Sequence, residues 1–203
     1  MAAKGKSKPR IILERRKVVS RILEGRGDAL LITGIGNASQ DCAAAGDDVN
    51  NFYLFGIMGG AAGVGLGLAL AQPKRRVLVI TGDGEMLAGI GTLATIGIQK
   101  PANLAIVVID NQAYAATGGQ QTHTGQGVDL AGIAKASAIP STRIVWDARG
   151  LEAVLPAIHK RPGPFFAVVK VHARPTNRVA VPNDGTYMQH RFRGALLGNR
   201  AFE

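Results

Sequence analysis

The chain has 203 residues and a mass of 21.2 kDa, and its 46% hydrophobic content and mean hydropathy of +0.11 are typical of one globular domain rather than of a disordered chain. Its net charge of +10 lies at the two ends: residues 1–21 hold eight basic and one acidic residue, residues 172–203 hold five and two, and residues 22–171 hold eleven of each sign. This distribution argues against a nucleic-acid-binding face, and no apolar run is long enough for a membrane span or a signal peptide, so we expect a cytoplasmic protein with no membrane or nucleic-acid partner.

In chain order, the apolar pattern predicts a helix over residues 11–23 and then a buried strand, ALLIT, at residues 29–33. Further strand-like runs follow at residues 52–55, 77–80, 104–109, 143–146 and 165–169. Helix-like segments separate them at residues 61–71, 86–98, 129–136 and 150–160. This alternation predicts an α/β fold with three layers, α/β/α, and a mainly parallel sheet, in which ligands bind beyond the carboxyl ends of the strands.

The ends of the chain are expected to differ from this domain. Residues 1–10 are predicted to form a basic, flexible tail. Residues 172–203 are predicted to form a basic C-terminal extension that contacts a partner, and its first part, RPTNRVAVPNDG, is predicted to be irregular because of its Pro and Asn residues.

The turn TGDGEM follows the strand at residues 77–80 and opens onto a helix, so its backbone N–H groups suit an anion such as phosphate. The carboxylate of Asp83 would repel that anion unless a divalent cation lay between them, and Mg²⁺ accepts carboxylate, carbonyl and phosphate oxygens. Asn111 follows the next strand, 28 residues later, and its side-chain carbonyl and the Ala113 backbone carbonyl would add two ligands. We expect Asp83 and Asn111 in exposed turns. For Asp83 alone, the alternative is a cap of the helix that begins near Met86.

The GDG of residues 82–84 and the later Asn111 resemble the paired motif of thiamine-diphosphate-dependent enzymes, and the resemblance covers nearly the whole chain. The segments GDGEMLAGIGTLATIGIQKPANLAIVVIDN and TGGQQTHTG are similar to the β-subunit type of the phosphonopyruvate and sulfopyruvate decarboxylases. The resemblance implies the thiamine-diphosphate-binding fold for residues 11–171, with thiamine diphosphate and Mg²⁺ as cofactors. It makes Asp83, Asn111 and the carbonyl of Ala113 the metal ligands.

The segment LFGIMGG resembles the family's turn that grips the aminopyrimidine ring of the cofactor. By this resemblance, Met58 is the apolar wedge under the bent cofactor and Gly56 offers its carbonyl to the amino group. Without it, Met58 would be interpreted as a core residue. Glu85 replaces a small or hydroxyl residue, so only its backbone is expected to contact the diphosphate. The predicted cofactor-binding residues are Gly56, Ile57, Met58, Gly82, Asp83, Gly84, Glu85, Asn111, Ala113 and Tyr114.

The segment TGGQQTHTG, residues 117–125, is expected at the reactive end of the cofactor. Its glycines would let the backbone approach a small anionic substrate. His123 is a candidate acid or anion contact, and the alternative is an exposed polar residue without a role. The predicted substrate-binding residues are Thr117, Gly118, Gly119, Gln120 and Thr122.

The family also needs a glutamate that activates the pyrimidine ring, and that glutamate belongs to a separate pyrimidine-binding domain. The glutamates of this chain all lie outside a matching motif: Glu14, Glu24, Glu85, Glu152 and Glu203. The resemblance therefore implies one subunit of a 2-oxo acid decarboxylase that joins a separate pyrimidine-binding α subunit in a heterotetramer. The alternatives are a carbon–carbon lyase or carboligase, of the 2-hydroxyacyl-CoA lyase or acetolactate synthase type, and a non-catalytic cofactor-binding or regulatory subunit.

Overall fold

A computed structural model describes residues 11–160 and 162–202, so the predicted tail at residues 1–10 lies outside the described residues. Strands and helices alternate along the chain. The strands are β1 (Leu30–Thr33), β2 (Asn51–Tyr53), β3 (Val77–Gly82), β4 (Leu104–Asp110), β5 (Ala113–Tyr114), β6 (Gln120–Gln121), β7 (Ser141–Val145) and β8 (Phe165–Lys170). The helices are α1 (Arg15–Glu24), α2 (Asn37–Ala44), α3 (Ala61–Ala71), α4 (Asp83–Ala88), α5 (Thr92–Gln99), α6 (Leu130–Ala136), α7 (Ala148–His159) and α8 (Gly185–Leu197).

Six of the strands form one sheet in the order β2-β1-β3-β4-β8-β7, and every neighbouring pair is parallel. The chain runs from β1 to β2 on one side and then returns to place β3 on the other side of β1. The loops that follow β1 and β3 therefore diverge, which opens a crevice at the carboxyl edge of the sheet. The predicted α/β fold with a mainly parallel sheet is confirmed.

Two apolar cores cover the two faces of this sheet. One packs α1, α2 and α7 against the first face, with Val19, Cys42 and Leu155 as members. The other packs α3, α5 and α6 against the second face, with Leu66 and Ile96 as members. Because β4 is buried along its whole length, its sequence LAIVVID is continuously apolar up to its last residue. The three-layer arrangement follows from these two cores.

The single helix predicted over residues 86–98 is two helices, α4 and α5. Gly89 lies between them, where its backbone packs directly on the loop that follows β2. A Cβ atom on Gly59 would lie 2.8 Å from the Gly89 backbone nitrogen, and Gly59 has a φ of 91°. Both positions therefore need glycine, and this contact accounts for the break. At the start of the chain, α1 begins only at Arg15, because Leu13 pairs with Val171 beside the sheet.

The C-terminal segment contains α8, which the sequence pattern did not predict; α2 was likewise missed. Residues 172–184 are irregular. In α8, Met188 joins the first core and Phe192 joins the second. Arg191 Nη2 donates a hydrogen bond to the backbone carbonyl of Asn51 at 3.0 Å. The helix thus covers the edge strand β2. Within the described part of the chain, no helix combines the length and the apolar character that crossing a membrane requires.

Candidate functional site

A cavity of about 440 Å³ lies at the carboxyl edge of the sheet, where the strand order reverses. This volume is in the range of small-molecule sites. Its walls come from the loops after β1, β2, β3 and β4, which the parallel topology brings to one edge. The predicted cofactor contacts that line it are Met58, Gly82, Asp83, Gly84, Glu85, Asn111, Ala113 and Tyr114, and Thr117 lines it from the predicted substrate segment.

Asp83 is buried and forms the first residue of α4, so the expectation that it lies in an exposed turn is wrong. Its Oδ2 accepts hydrogen bonds from the hydroxyl groups of Thr122, at 2.5 Å, and Thr124, at 3.0 Å. Gly82 occupies the N-cap position, and no side-chain cap is formed there. The carboxylate is therefore oriented at the cavity wall by two threonines instead of capping the helix.

A second carboxylate, Asp110, is fully buried behind the first at the end of β4. The Thr124 hydroxyl lies 2.8 Å from Asp110 Oδ1 and 3.0 Å from Asp83 Oδ2, so it connects the two groups. Lys170 Nζ forms an ion pair with Asp110 Oδ2 at 2.5 Å and lies 5.7 Å from the centroid of the Trp146 ring. Burial and then the charge of Asp110 raise the pKa of Asp83 to about 6. A cation in the cavity would oppose both effects.

Asn111 and its neighbours form a tight turn in the wall of the cavity. Asn111 Oδ1 accepts a hydrogen bond from the Ala113 N–H at 3.2 Å. The Tyr114 ring lies directly over Gly84, where any Cβ atom would overlap the ring. Gly84 is therefore required for this packing. Within the described ranges, no group of three or more His, Cys, Asp or Glu side chains is placed to hold a metal. A metal here would need a mixed set of carboxylate, amide and backbone oxygens.

The Glu85 side chain has a position that the motif did not indicate. It is buried, and its Oε2 accepts a hydrogen bond from the Ile35 N–H at 2.8 Å. A Cβ atom on Gly34 would collide with the same oxygen. Burial raises the pKa of Glu85 against the opposing effect of its hydrogen bonds. Glu85 therefore ties the loop after β1 to α4 through its side chain, in addition to any backbone contact.

Sequence reasoning missed one wall of the cavity. The missed lining residues are Arg15, Ile35, Gly36, Asn37, Ala38, Asp41, Ile109, Ala115 and Ala116. The GIG turn of residues 34–36 could have indicated this wall, because two glycines directly after a buried strand are typical of a turn at a ligand site. In the structure Gly36 has a φ of 68°, which favours glycine. Arg15 had no such signal, because α1 is far from the motifs in sequence and Arg15 is adjacent to another arginine, Arg16.

Of the three predicted contacts in the loop after β2, Met58 lines the cavity and Gly56 and Ile57 do not. The loop is well exposed: Phe55, Ile57 and Met58 have exposed fractions of 38%, 56% and 48%. Gly56 has a φ of 69° and Gly59 one of 91°, which shape the turn around Met58. The wedge residue is thus presented at the cavity by a glycine-bounded turn.

Most of the predicted substrate segment lies outside the cavity walls. Gly118, Gly119, Gln120 and His123 are exposed and do not line it. Thr122 is fully buried, and its hydroxyl is committed to Asp83. Its predicted part as a direct substrate donor is therefore corrected: it orients Asp83 instead.

Residues 34–169 match the sequence profile of a family described as "Thiamine pyrophosphate enzyme, C-terminal TPP binding domain". The chain is 42% identical over 123 residues to the sulfopyruvate decarboxylase subunit beta of Methanocaldococcus jannaschii, and the alignment covers 60% of this chain and 65% of that protein. It is 34% identical over 187 residues to the subunit of the same name from Methanococcus maripaludis, covering 91% of this chain and 98% of that protein.

Among solved structures, an enzyme from Mycobacterium smegmatis described as thiamin diphosphate-dependent aligns with a TM-score of 0.70. The alignment has 21% sequence identity and covers 86% of this chain and 35% of that chain. At this level of identity, the likeness concerns the fold alone.

Proposed function

This chain belongs to the thiamine pyrophosphate enzymes, and we propose that it is the cofactor-binding subunit of a decarboxylase that acts on a small 2-oxo acid. The family match confirms the resemblance drawn from the GDG turn and Asn111. The support for the reaction is the similarity to two sulfopyruvate decarboxylase β subunits, one of them over almost the whole of both chains. The structural observation that carries the proposal is one cavity lined by Asp83, Asn111 and Met58 together.

Asp83, Asn111 and the Ala113 carbonyl are our proposed ligands for Mg²⁺. Two threonine hydroxyls engage Asp83 Oδ2, so Oδ1 is the oxygen available to a metal. The charge of Mg²⁺ would lower the pKa that burial and Asp110 raise at Asp83. Gly84 has no side chain of its own, which lets the Tyr114 ring pack directly on the turn that carries Asp83. Thiamine diphosphate, when bound, would supply a nucleophilic carbon and an electron sink for the loss of CO₂.

The proposed contribution of Met58 is its shape. It lines the cavity from a turn whose Gly59 backbone rests on Gly89 at the end of α4. That contact holds the turn in register with the helix that begins at Asp83. A bulky apolar side chain in this place would support the cofactor in its bent form, as family members require.

Met58→Leu is expected to keep full turnover, because leucine fills a similar volume. Met58→Ala is expected to reduce turnover about 10-fold or more while changing cofactor affinity less, because misplacement of reacting groups mainly affects the rate. Steady-state kinetics at saturating cofactor and partner, together with calorimetry, measure the two effects. Ile98→Ala is the control, since Ile98 is an exposed apolar side chain of α5 that lines neither the cavity nor the turn around Met58. Unchanged turnover in Met58→Ala would mean that the wedge is a different residue.

A separate subunit is proposed to complete the site. Three glutamates form surface ion pairs: Glu14 with Lys17, and Glu24 and Glu152 with Arg21. Glu85 is committed to Ile35, and Glu203 lies outside the described residues. The exposed apolar turn of residues 55–58 offers a docking surface beside the cavity. We propose that a pyrimidine-binding α subunit covers it and brings the activating glutamate, in a heterotetramer.

The test is CO₂ release by the purified complex of this chain with its pyrimidine-binding partner. The panel is sulfopyruvate, phosphonopyruvate and pyruvate, and we expect the acids with an anionic tail to react fastest. Product analysis distinguishes the alternatives. An aldehyde formed together with CO₂ would indicate simple decarboxylation. A product in which a carbon–carbon bond between two organic fragments is formed or cleaved, with or without CO₂, would indicate a carboligase or lyase, and cofactor binding without any reaction would indicate a non-catalytic subunit.

A further inference from the structure

One cationic side chain lines the cavity within the described part of the chain, and it comes from outside the cofactor motifs. Arg15, the first residue of α1, shares the wall with Asn37 and Asp41. The other charged lining residues are carboxylates, Asp41, Asp83 and Glu85. An anionic ligand in this cavity would therefore find its direct protein cation at Arg15.

The guanidinium group of Arg15 is buried, and its carboxylate partner is shared with a second arginine. Its side chain is 6% exposed, and its Nε lies 3.0 Å from Asp41 Oδ2, yet neither atom makes a hydrogen bond. Asp41 is shared with Arg16, whose Nε donates to Oδ1 at 3.1 Å. Arg15 Nη2 donates to the Thr176 hydroxyl. Two guanidinium groups thus face one carboxylate, and the cluster keeps a net positive charge beside the cavity.

The balance of forces on Arg15 agrees with this geometry. Burial lowers the pKa of Arg15, and the attraction of Asp41 opposes that effect only in part. A buried cation in this condition is stabilised by a further anion. The Asp41 carboxylate meanwhile holds one side of the guanidinium in place, so the group would be oriented before a ligand arrives.

We propose that Arg15 binds the oxygens of a phosphate, phosphonate or sulfonate group in this cavity. The inference rests on the proposed function, because that function brings two such groups to the site: the cofactor diphosphate and the anionic tail of a 2-oxo acid. A guanidinium presents paired N–H donors whose spacing matches these tetrahedral oxyanions. Arg15 would then contribute either to cofactor affinity or to the choice of substrate.

Arg16→Gln is the matched control for Arg15→Gln. Each change removes one arginine partner of Asp41 and one donor to Thr176, but Arg15 lines the cavity and Arg16 does not. Thermal unfolding of the full chain shows whether each variant folds. Should Arg15→Gln fail to fold, Arg15→Lys replaces it, because lysine keeps the charge beside Asp41 and lacks the planar pair of donors.

Three measurements separate the sources of the anion. Inorganic sulfate is expected to raise the unfolding temperature of the unmodified chain and of Arg16→Gln, and to have no such effect on Arg15→Gln. Arg15→Gln is also expected to change one of two further quantities by about 10- to 100-fold, as for the loss of a charged hydrogen bond. These quantities are the affinity for thiamine diphosphate and the KM of the complex for sulfopyruvate. A loss in thiamine diphosphate affinity assigns the diphosphate to Arg15. A rise in the KM of the complex for sulfopyruvate, with the KM for pyruvate unchanged, assigns the substrate tail.

The proposal is overturned if Arg15→Gln changes none of these quantities more than Arg16→Gln does. It is also overturned if the KM values for pyruvate and sulfopyruvate rise equally while sulfate and cofactor binding stay unchanged. Failure of the proposed function has a different result: the complex would release no CO₂ from any acid, while sulfate protection would still depend on Arg15.

Discussion

Asp83→Ala and Asn111→Ala are each expected to lower the Mg²⁺-dependent affinity for thiamine diphosphate by at least about 100-fold. Each change removes one of the three protein oxygens proposed for the metal. The remaining carboxylates of the wall would then face the diphosphate without a cation between them. Calorimetric titration of the cofactor, with and without Mg²⁺, measures the loss.

Because Asp83 is buried, its replacement also changes the packing around it, so control variants are needed to separate that effect from the loss of a metal ligand. Asp83→Ala also removes the acceptor of the buried Thr122 and Thr124 hydroxyls, whereas Asp83→Asn keeps an acceptor oxygen and removes the charge. Asp129→Ala deletes a carboxylate that caps α6 and does not line the cavity, and should leave cofactor affinity unchanged. Undiminished Mg²⁺-dependent affinity in both the Asp83→Ala and the Asn111→Ala chains would contradict the metal assignment.

The isolated chain is expected to release no CO₂ from 2-oxo acids at saturating thiamine diphosphate and Mg²⁺, and the complex with its partner to restore turnover. A missing acid–base group costs about 10²- to 10⁴-fold in rate, and here the activating glutamate is proposed to come from the other subunit. The exposed turn around Met58 would also leave the cofactor open to water without that subunit.

Light scattering of the chain alone and with its partner, combined with a decarboxylation assay on the same samples, measures this prediction. Robust turnover by the chain alone, in a preparation free of any second protein, would contradict it. Glu85 would then be the residue to replace first, because among the described glutamates it is the one that lines the cavity.

The sequence predicted the order of strands and helices well, because buried parallel strands leave continuous apolar runs. It failed where a distant contact decides the local structure. The apolar pattern continues through LAGIGTLATIGI, and the helix breaks only because the backbone at Gly89 meets Gly59, a residue thirty positions earlier. No local pattern marks such a contact.

For the candidate site, too, the sequence predicted some residues and missed others. Asp83 and Asn111 could be paired from the sequence, since the ends of adjacent parallel strands lie at one edge. The burial of Thr122 could not be predicted from the sequence, because its partner Asp83 lies 39 residues away and the intervening hairpin has no strong apolar pattern. The position of Arg15 at the cavity could not be predicted either, because it depends on how α1 packs on α2.

The packing of α8 on β2 has a consequence for how the protein is made. Arg191 reaches the Asn51 carbonyl across 140 residues of sequence, so β2 leaves the ribosome long before the helix that covers it. During that interval the edge of the nascent sheet is open to strands of neighbouring chains. The yield of folded protein should therefore depend on how closely nascent chains are crowded during translation, even if the finished domain is very stable.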